Sequence, residues 1–251
     1  MIEVRNLSKY YNSKKAVDNV SIAIPKGKIT SFIGPNGAGK STVLSMMTRL
    51  LSKDYGEIFI DGKEIGEWKS DELAKVLAIL KQSNQVNLRL KVRELVAFGR
   101  FPHSKGRVNK EDRQIIQQAM DYLELSEIQE QYLDELSGGQ RQRAFIAMVL
   151  AQNTDYIFLD EPLNNLDMKH SVQIMKILRK ITDDLGKTVI LVLHDINFAS
   201  VYSDEIVAFK NGKLIIKGSA KEIIEANALK NIYDMSFEIQ EIDEKKICIY
   251  F

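Results

Sequence analysis

Ile29-Thr30-Ser31-Phe32-Ile33-Gly34-Pro35-Asn36-Gly37-Ala38-Gly39-Lys40-Ser41-Thr42 decides the fold. The run Ile29–Ile33 does not alternate, as a strand covered on both faces does not. It stops at a turn matching G-x-x-x-x-G-K-[ST], and a helix is predicted to follow from about Lys40. Gly34, Gly37 and Gly39 let backbone N–H groups close around phosphates, with Pro35, Asn36 and Ala38 at the variable positions. The helix points its positive end at the same place. Lys40 is expected to reach the β- and γ-phosphates, and the Ser41 hydroxyl to bind Mg²⁺. Thr42 is expected beside the α- or β-phosphate.

Two further non-alternating runs also end in chemistry. Tyr156–Leu159 gives way to Asp160-Glu161, and Val189–Leu193 to His194-Asp195. Ligands of open α/β sheets sit beyond the carboxyl ends of strands, so three such ends point to one shared site. Asp160 is expected to hold Mg²⁺ through water, and Glu161 to polarise an attacking water. Asp160-Glu161-Pro162 also reads as a plain helix start, where acids are favoured. The cradle at Gly34–Ser41 favours the catalytic reading.

Outward from these runs the chain alternates strand and helix patterns, predicting an α/β core with parallel strands. Glu57–Ile60 with Asp61-Gly62 reads as a hairpin, as does Ile206–Lys210 with Asn211-Gly212 and Lys213–Ile216. Ile2–Val4 and Ser21–Ile24 are expected to join such a sheet. From about Val86 to Ala151 the pattern turns helical, with Asn109 capping a helix that carries Ile115, Ile116, Ala119, Met120 and Leu123 on one face. A later helix carries Val172, Met175, Leu178, Ile181 and Leu185 on one face and stops at Gly186. The tail from Phe237 to Phe251 alternates at Ile247, Ile249 and Phe251, predicting a short hairpin.

Leu136-Ser137-Gly138-Gly139-Gln140 is the most informative pentapeptide. Ser137 and Gln140 form an S-x-x-Q capping box, and the two glycines leave the backbone bare. The helix then buries Ala144, Phe145, Met148 and Ala151. An exposed helix tip with N–H groups and a hydroxyl is a second anion site. One nucleotide needs one cradle, so the second site is expected to serve a nucleotide held by another copy of the chain.

With these residues the sequence resembles an ABC-transporter ATPase along essentially its whole length. Gly34–Thr42 resembles the Walker A loop, Tyr156–Glu161 the Walker B strand, and Leu136–Gln140 the ABC signature, in the expected order. The resemblance implies a RecA-like P-loop core with an antiparallel β subdomain over 1–85 and 152–218. It also implies an inserted α-helical subdomain over 86–151 and a C-terminal helix with a short tail over 219–251. Tyr11 resembles the aromatic residue that stacks on adenine, with Tyr10 the competing choice. Gln82 resembles the Q-loop glutamine that senses Mg²⁺ and the permease. Asn165-Leu166-Asp167 resembles the D-loop, and His194 the switch histidine that contacts the γ-phosphate. ATP with Mg²⁺ is implied, bound between the loop of one copy and Ser137–Gln140 of the other.

Within the family, Val92–His103, Leu166–His170 and His194–Asn197 are similar to ATPases of iron–siderophore, haem and cobalamin importers. Asp160–His170 is similar to those of Gram-positive catecholate-siderophore importers, with Ser171 where that group often has Gln. This implies a homodimer of ATPase subunits at the cytoplasmic face of the cell membrane, peripheral to a permease and served indirectly by an extracellular siderophore-binding lipoprotein. Haem or cobalamin import, and a soluble ABC ATPase serving iron–sulfur assembly, are the alternatives.

Composition agrees. The 251 residues suffice for one large domain with an insert. With 35 basic and 34 acidic residues the net charge is +1, which argues against a nucleic-acid-coating protein. Cys248 alone cannot form an internal disulfide and fits a reducing compartment. Met1–Asn6 shows no apolar signal core, and no stretch approaches the ~18 apolar residues of a membrane span. Membrane business is therefore expected to run through a partner.

Overall fold

The computed structural model describes residues 1–82 and 88–250. In chain order its elements begin with β1 (Ile2–Tyr11), β2 (Lys14–Ile24), β3 (Ile29–Ile33), α1 (Lys40–Met47), β4 (Tyr55–Ile60) and β5 (Lys63–Glu64). Then come α2 (Ser70–Leu73), β6 (Leu77–Leu80), α3 (Val92–Phe98), α4 (Phe101–Ser104), α5 (Lys110–Tyr122), α6 (Gly138–Ala151), β7 (Tyr156–Asp160) and α7 (Met168–Leu185). The chain closes with β8 (Thr188–Val192), α8 (Ile196–Tyr202), β9 (Glu205–Lys210), β10 (Lys213–Ser219), α9 (Ala220–Ile223), α10 (Ala226–Tyr233), β11 (Glu238–Ile242) and β12 (Lys245–Ile249). Two compact units result, one of Met1–Trp68 with the chain from Thr188 onward, the other of Lys69–Lys187.

The first unit holds an antiparallel sheet in the order β2-β1-β4-β5 and the strands β10-β9-β3-β8. Parallel pairing of β3 with both β8 and β9 leaves β3 and β8 buried at every residue. Such double-sided burial is why those runs do not alternate. Asn211 (φ 51°) and Gly212 (φ 77°) make the tight β9–β10 turn, as predicted. β1 and β2 extend well beyond Ile2–Val4 and Ser21–Ile24. Register shifts after Val4, Leu7 and Lys9 break the alternation that would have revealed them. The tail forms the predicted hairpin as β11 and β12, with Phe251 outside the described residues.

The second unit pairs β6 parallel to β7 and packs α3, α5 and α6 together. The predicted start of this helical stretch, Val86, lies outside the described residues. Asn109 caps α5 by accepting the Asp112 N–H at 2.8 Å. Arg100 and Asp112 pin α4 to α5 through a 2.8 Å ion pair, only 5% and 3% exposed.

Two helix faces differ from the predicted ones. In α7 the buried stripe is Ser171, Ile174, Met175, Ile177, Leu178, Ile181 and Thr182, while Val172 is half-buried and Leu185 is 40% exposed. A strict every-third-or-fourth count drifts off the true 3.6-residue period over 18 residues, so both ends of the stripe were misplaced. In α6, Ala144–Ala147 and Val149–Ala151 are buried and Met148 is half-buried, so this helix is covered nearly all round rather than on one face.

Candidate functional site

In the first unit, β3 runs straight into the glycine loop. Gly34 (φ 136°) passes so close to the end of β9 that a β-carbon there would lie 2.0 Å from the Phe209 carbonyl oxygen. Gly39 (φ 96°) would put one 2.8 Å from the Ala16 oxygen. No other residue fits either place. The hairpin turn holds the loop's far end, where Gly212 N–H donates to the Ala38 oxygen at 3.1 Å. Lys40 is 5% exposed and turned into the loop, donating to the Gly34 and Pro35 carbonyls at 2.8 and 3.0 Å. α1 starts at the loop's end without a side-chain cap on Gly39. Ser41 and Thr42 are half-buried in its first turn, while Pro35, Asn36 and Gly37 line the rim.

Elsewhere in this unit, Tyr10 and Tyr11 close β1. Tyr10 is committed, edge-on to Tyr55 at 6.2 Å and beneath Lys15 Nζ at 5.5 Å. Tyr11 is 49% exposed, with Lys9 Nζ 6.0 Å from its ring centre. It is the more exposed of the two, Tyr10 being 39% exposed. His194 is exposed just past β8, and Asp195 caps α8 by accepting the Asn197 and Phe198 N–H groups.

In the second unit, Asp160 is the buried last residue of β7. Glu161 follows in left-handed backbone (φ 52°), a conformation costing a non-glycine residue roughly 1–2 kcal/mol. One carboxylate oxygen, Oε2, accepts from both Gln82 Nε2 at 2.6 Å and Asn164 Nδ2 at 3.4 Å. Gln82 lies just beyond β6, β7's parallel partner, and so beside Glu161.

The capping box at the head of α6 is present. Gln140 N–H donates to Ser137 Oγ at 3.3 Å, and Ser137 N–H to Gln140 Oε1 at 3.0 Å. Gly138 is exposed as expected. Gly139 is buried instead, because the His170 ring covers it; a β-carbon would lie 2.3 Å from His170 Cδ2. Asp167 caps α7, its Oδ1 accepting the His170 N–H at 2.9 Å and lying 2.8 Å from His170 Nδ1. That backbone bond, first, and the imidazole hold the Asp167 carboxyl below the usual carboxylate range. A further tie runs from Gln142 Nε2 to the Pro162 oxygen at 2.8 Å.

A strand–glycine loop–helix with a buried lysine, an acid pair at a strand end and a capped S-G-G-Q helix tip occur here in one chain. A protein-family model described as ABC transporter matches residues 17–164. The chain belongs to the ABC transporter family. Over its whole length it is similar to the petrobactin import ATP-binding protein YclP of Bacillus subtilis (strain 168), 62% identical over 251 residues, with 100% of each chain covered. It is 50% identical over 250 residues to the petrobactin import ATP-binding protein FatE of Bacillus anthracis, again covering 100% of each. Among solved structures, the dimeric ATP-binding cassette MJ0796 bound to ADP and Pi matches at 31% identity and TM-score 0.77, over 88% of this chain and 99% of that one. The resemblance to siderophore-importer ATPases is borne out, as is the α/β ABC ATPase fold.

Several residues of this ABC cassette escaped the sequence reading. Asn164 stands inside the Asp160–His170 stretch with no role of its own assigned, yet it reaches Glu161. His170 was noted in a motif, with no hint that it covers Gly139. Gln142 belongs to no motif, and only its contact with the Pro162 carbonyl reveals it.

Proposed function

We propose that this chain is the ATP-hydrolysing subunit of an importer for ferric siderophores of the catecholate type. The observation that carries the hydrolytic part is the Gln82–Glu161 hydrogen bond. It keeps a carboxylate in one place at a strand end, as a group that orients or deprotonates water must be kept. The cargo is supported by whole-length similarity to two petrobactin import proteins.

ATP is bound by Gly34–Thr42, with Tyr11 under the adenine and Lys40 on the β- and γ-phosphates. Ser41, Asp160 and Gln82 offer hydroxyl, carboxylate and amide oxygens, the hard donors that suit Mg²⁺. Bound with ATP, that ion would neutralise charge on the phosphate oxygens. Glu161 orients the water, His194 contacts the γ-phosphate, and transfer proceeds in line. Ser137, Gly138, Gly139 and Gln140 of a second copy contact the same γ-phosphate, with Asp167 in the loop beside them. ATP therefore favours the closed homodimer, since only the triphosphate makes contacts that differ between the two states. Losing the γ-phosphate removes the bridge and the dimer reopens.

No helix among the described residues is long and apolar enough to cross a membrane. The chain acts from the cytoplasmic face, attached to an integral permease, with the siderophore-binding lipoprotein on the other side. Phe98 and Phe101, 51% and 59% exposed at the α3–α4 junction, offer apolar surface for that permease. Radio-iron uptake in cells lacking this subunit tests the reading. Ferric catecholate uptake should fall and return with the wild-type gene but not with a Lys40→Ala copy. Unchanged uptake of every ferric siderophore would refute it.

A further inference from the structure

The phosphate loop is held at its entrance by a residue from the far end of the chain. The parallel ladders of β3 pair Phe32 with Val192 and Ile33 with Ala208, and go no further. Gly34 is the next residue, so its N–H lies past the last ladder position. Tyr233 Oη accepts that N–H at 3.0 Å, across 199 residues of sequence. The other side of Gly34 is held as well, since its carbonyl accepts from Lys40 Nζ at 2.8 Å. Gly34 is thus fixed through its N–H by the C-terminal segment and through its oxygen by the loop's own lysine.

Tyr233 is itself firmly placed. It is the last residue of α10, which buries Leu229 and Ile232. Lys210, at the end of β9, donates to the Asn231 oxygen and to Asp234 Oδ1, both at 2.7 Å, tying the helix end beside the loop. The Tyr233 ring packs on Phe237 with centres 5.8 Å apart, and Phe237 on Tyr250 at 5.9 Å. Those aromatics flank the β11–β12 hairpin. Burial pushes the Tyr233 hydroxyl up to about 12, so it stays neutral and keeps its proton.

We propose that Tyr233 is a positioning residue for nucleotide binding, through which the C-terminal segment sets the geometry of the phosphate loop at Gly34. This rests on reading Gly34–Thr42 as the nucleotide loop. The role is to hold the backbone turn that presents Lys40 and the loop N–H groups. It is not to touch the nucleotide.

Tyr233→Phe in the full chain keeps the ring and its packing and removes only the hydroxyl that accepts the Gly34 N–H. Amide hydrogen exchange of the nucleotide-free protein should quicken at Gly34 by about 5-fold, the worth of one net hydrogen bond. The Kd for ADP and the KM for ATP should rise by about the same factor, with kcat at saturating ATP within about 2-fold of the parent. Phe237→Leu, which loosens the packing but leaves the hydroxyl, is the control for stability. It should lower Tm at least as much as Tyr233→Phe while shifting KM less. Unaltered Gly34 exchange in Tyr233→Phe overturns the proposal. So does a rise in KM that Phe237→Leu reproduces in proportion to its loss of Tm. If the parent chain fails to bind nucleotide, the loop assignment itself falls, and the exchange measurement still reports on the Tyr233–Gly34 bond.

Discussion

Gln82 donates to the carboxylate of Glu161 at 2.6 Å, joining the second residue past β6 to the first residue past β7. The bond holds the side chain of a non-glycine residue that stands in left-handed backbone directly after a buried strand. Gln82→Ala should loosen the Glu161 side chain by removing its shorter bond, the 3.4 Å Asn164 contact being the weaker one. Misplacing such a group costs about 10- to 100-fold in kcat, and ADP affinity should hardly change. A phosphate-release assay beside a binding titration checks both halves.

Glu161→Gln keeps the shape and the Gln82 contact but removes the charge proposed to draw a proton from water. Turnover should fall by at least about 100-fold while ATP affinity is retained. Under the same conditions Lys40→Ala should lose nucleotide affinity itself. Isothermal titration and steady-state hydrolysis separate the two losses. Near-normal hydrolysis in Glu161→Gln would put the base elsewhere.

Gly139→Ala drives a methyl group into the His170 ring, 2.3 Å away. Overpacking of this kind costs about 1–3 kcal/mol, so Tm should drop. Adding His170→Ala opens the space, and the double variant should regain part of that loss. A thermal-melt double-mutant cycle reads the coupling, and strictly additive losses would deny the contact.

Arg100→Met leaves Asp112 buried without its cation and should cost about 3–5 kcal/mol at neutral pH. In the parent, the Asn109 N–H and Arg100 hold the Asp112 carboxyl below its ordinary value, against the opposing effect of burial. The folded pKa lies under the unfolded one of about 3.9. The contribution is therefore full above that value and is lost as pH falls through the folded pKa. Urea melts of both proteins at pH 7 and pH 3 should show the gap between them narrowing in acid.

The three buried strands, the glycine loop, the S-G-G-Q cap and the Asn211-Gly212 turn were all legible, because each rests on a local rule of burial, turn geometry or capping. The long β1–β2 pair was not, since bulges interrupt its alternation. Gly139 reads locally as bare backbone; only folding brings His170 over it. Tyr233 is beyond any pattern, because a hydroxyl meeting a backbone N–H 199 residues away leaves no periodic trace. Local chemistry writes motifs, and the contacts that hold motifs in position are long-range.

The structure of Glu161→Gln with ATP and Mg²⁺ tests the account most directly. Two copies should be found head to tail, with Ser137 Oγ of each about 3 Å from the γ-phosphate seated on the other's Gly34–Thr42 loop. A nucleotide on that loop with Ser137 of neither copy near its γ-phosphate would contradict the account.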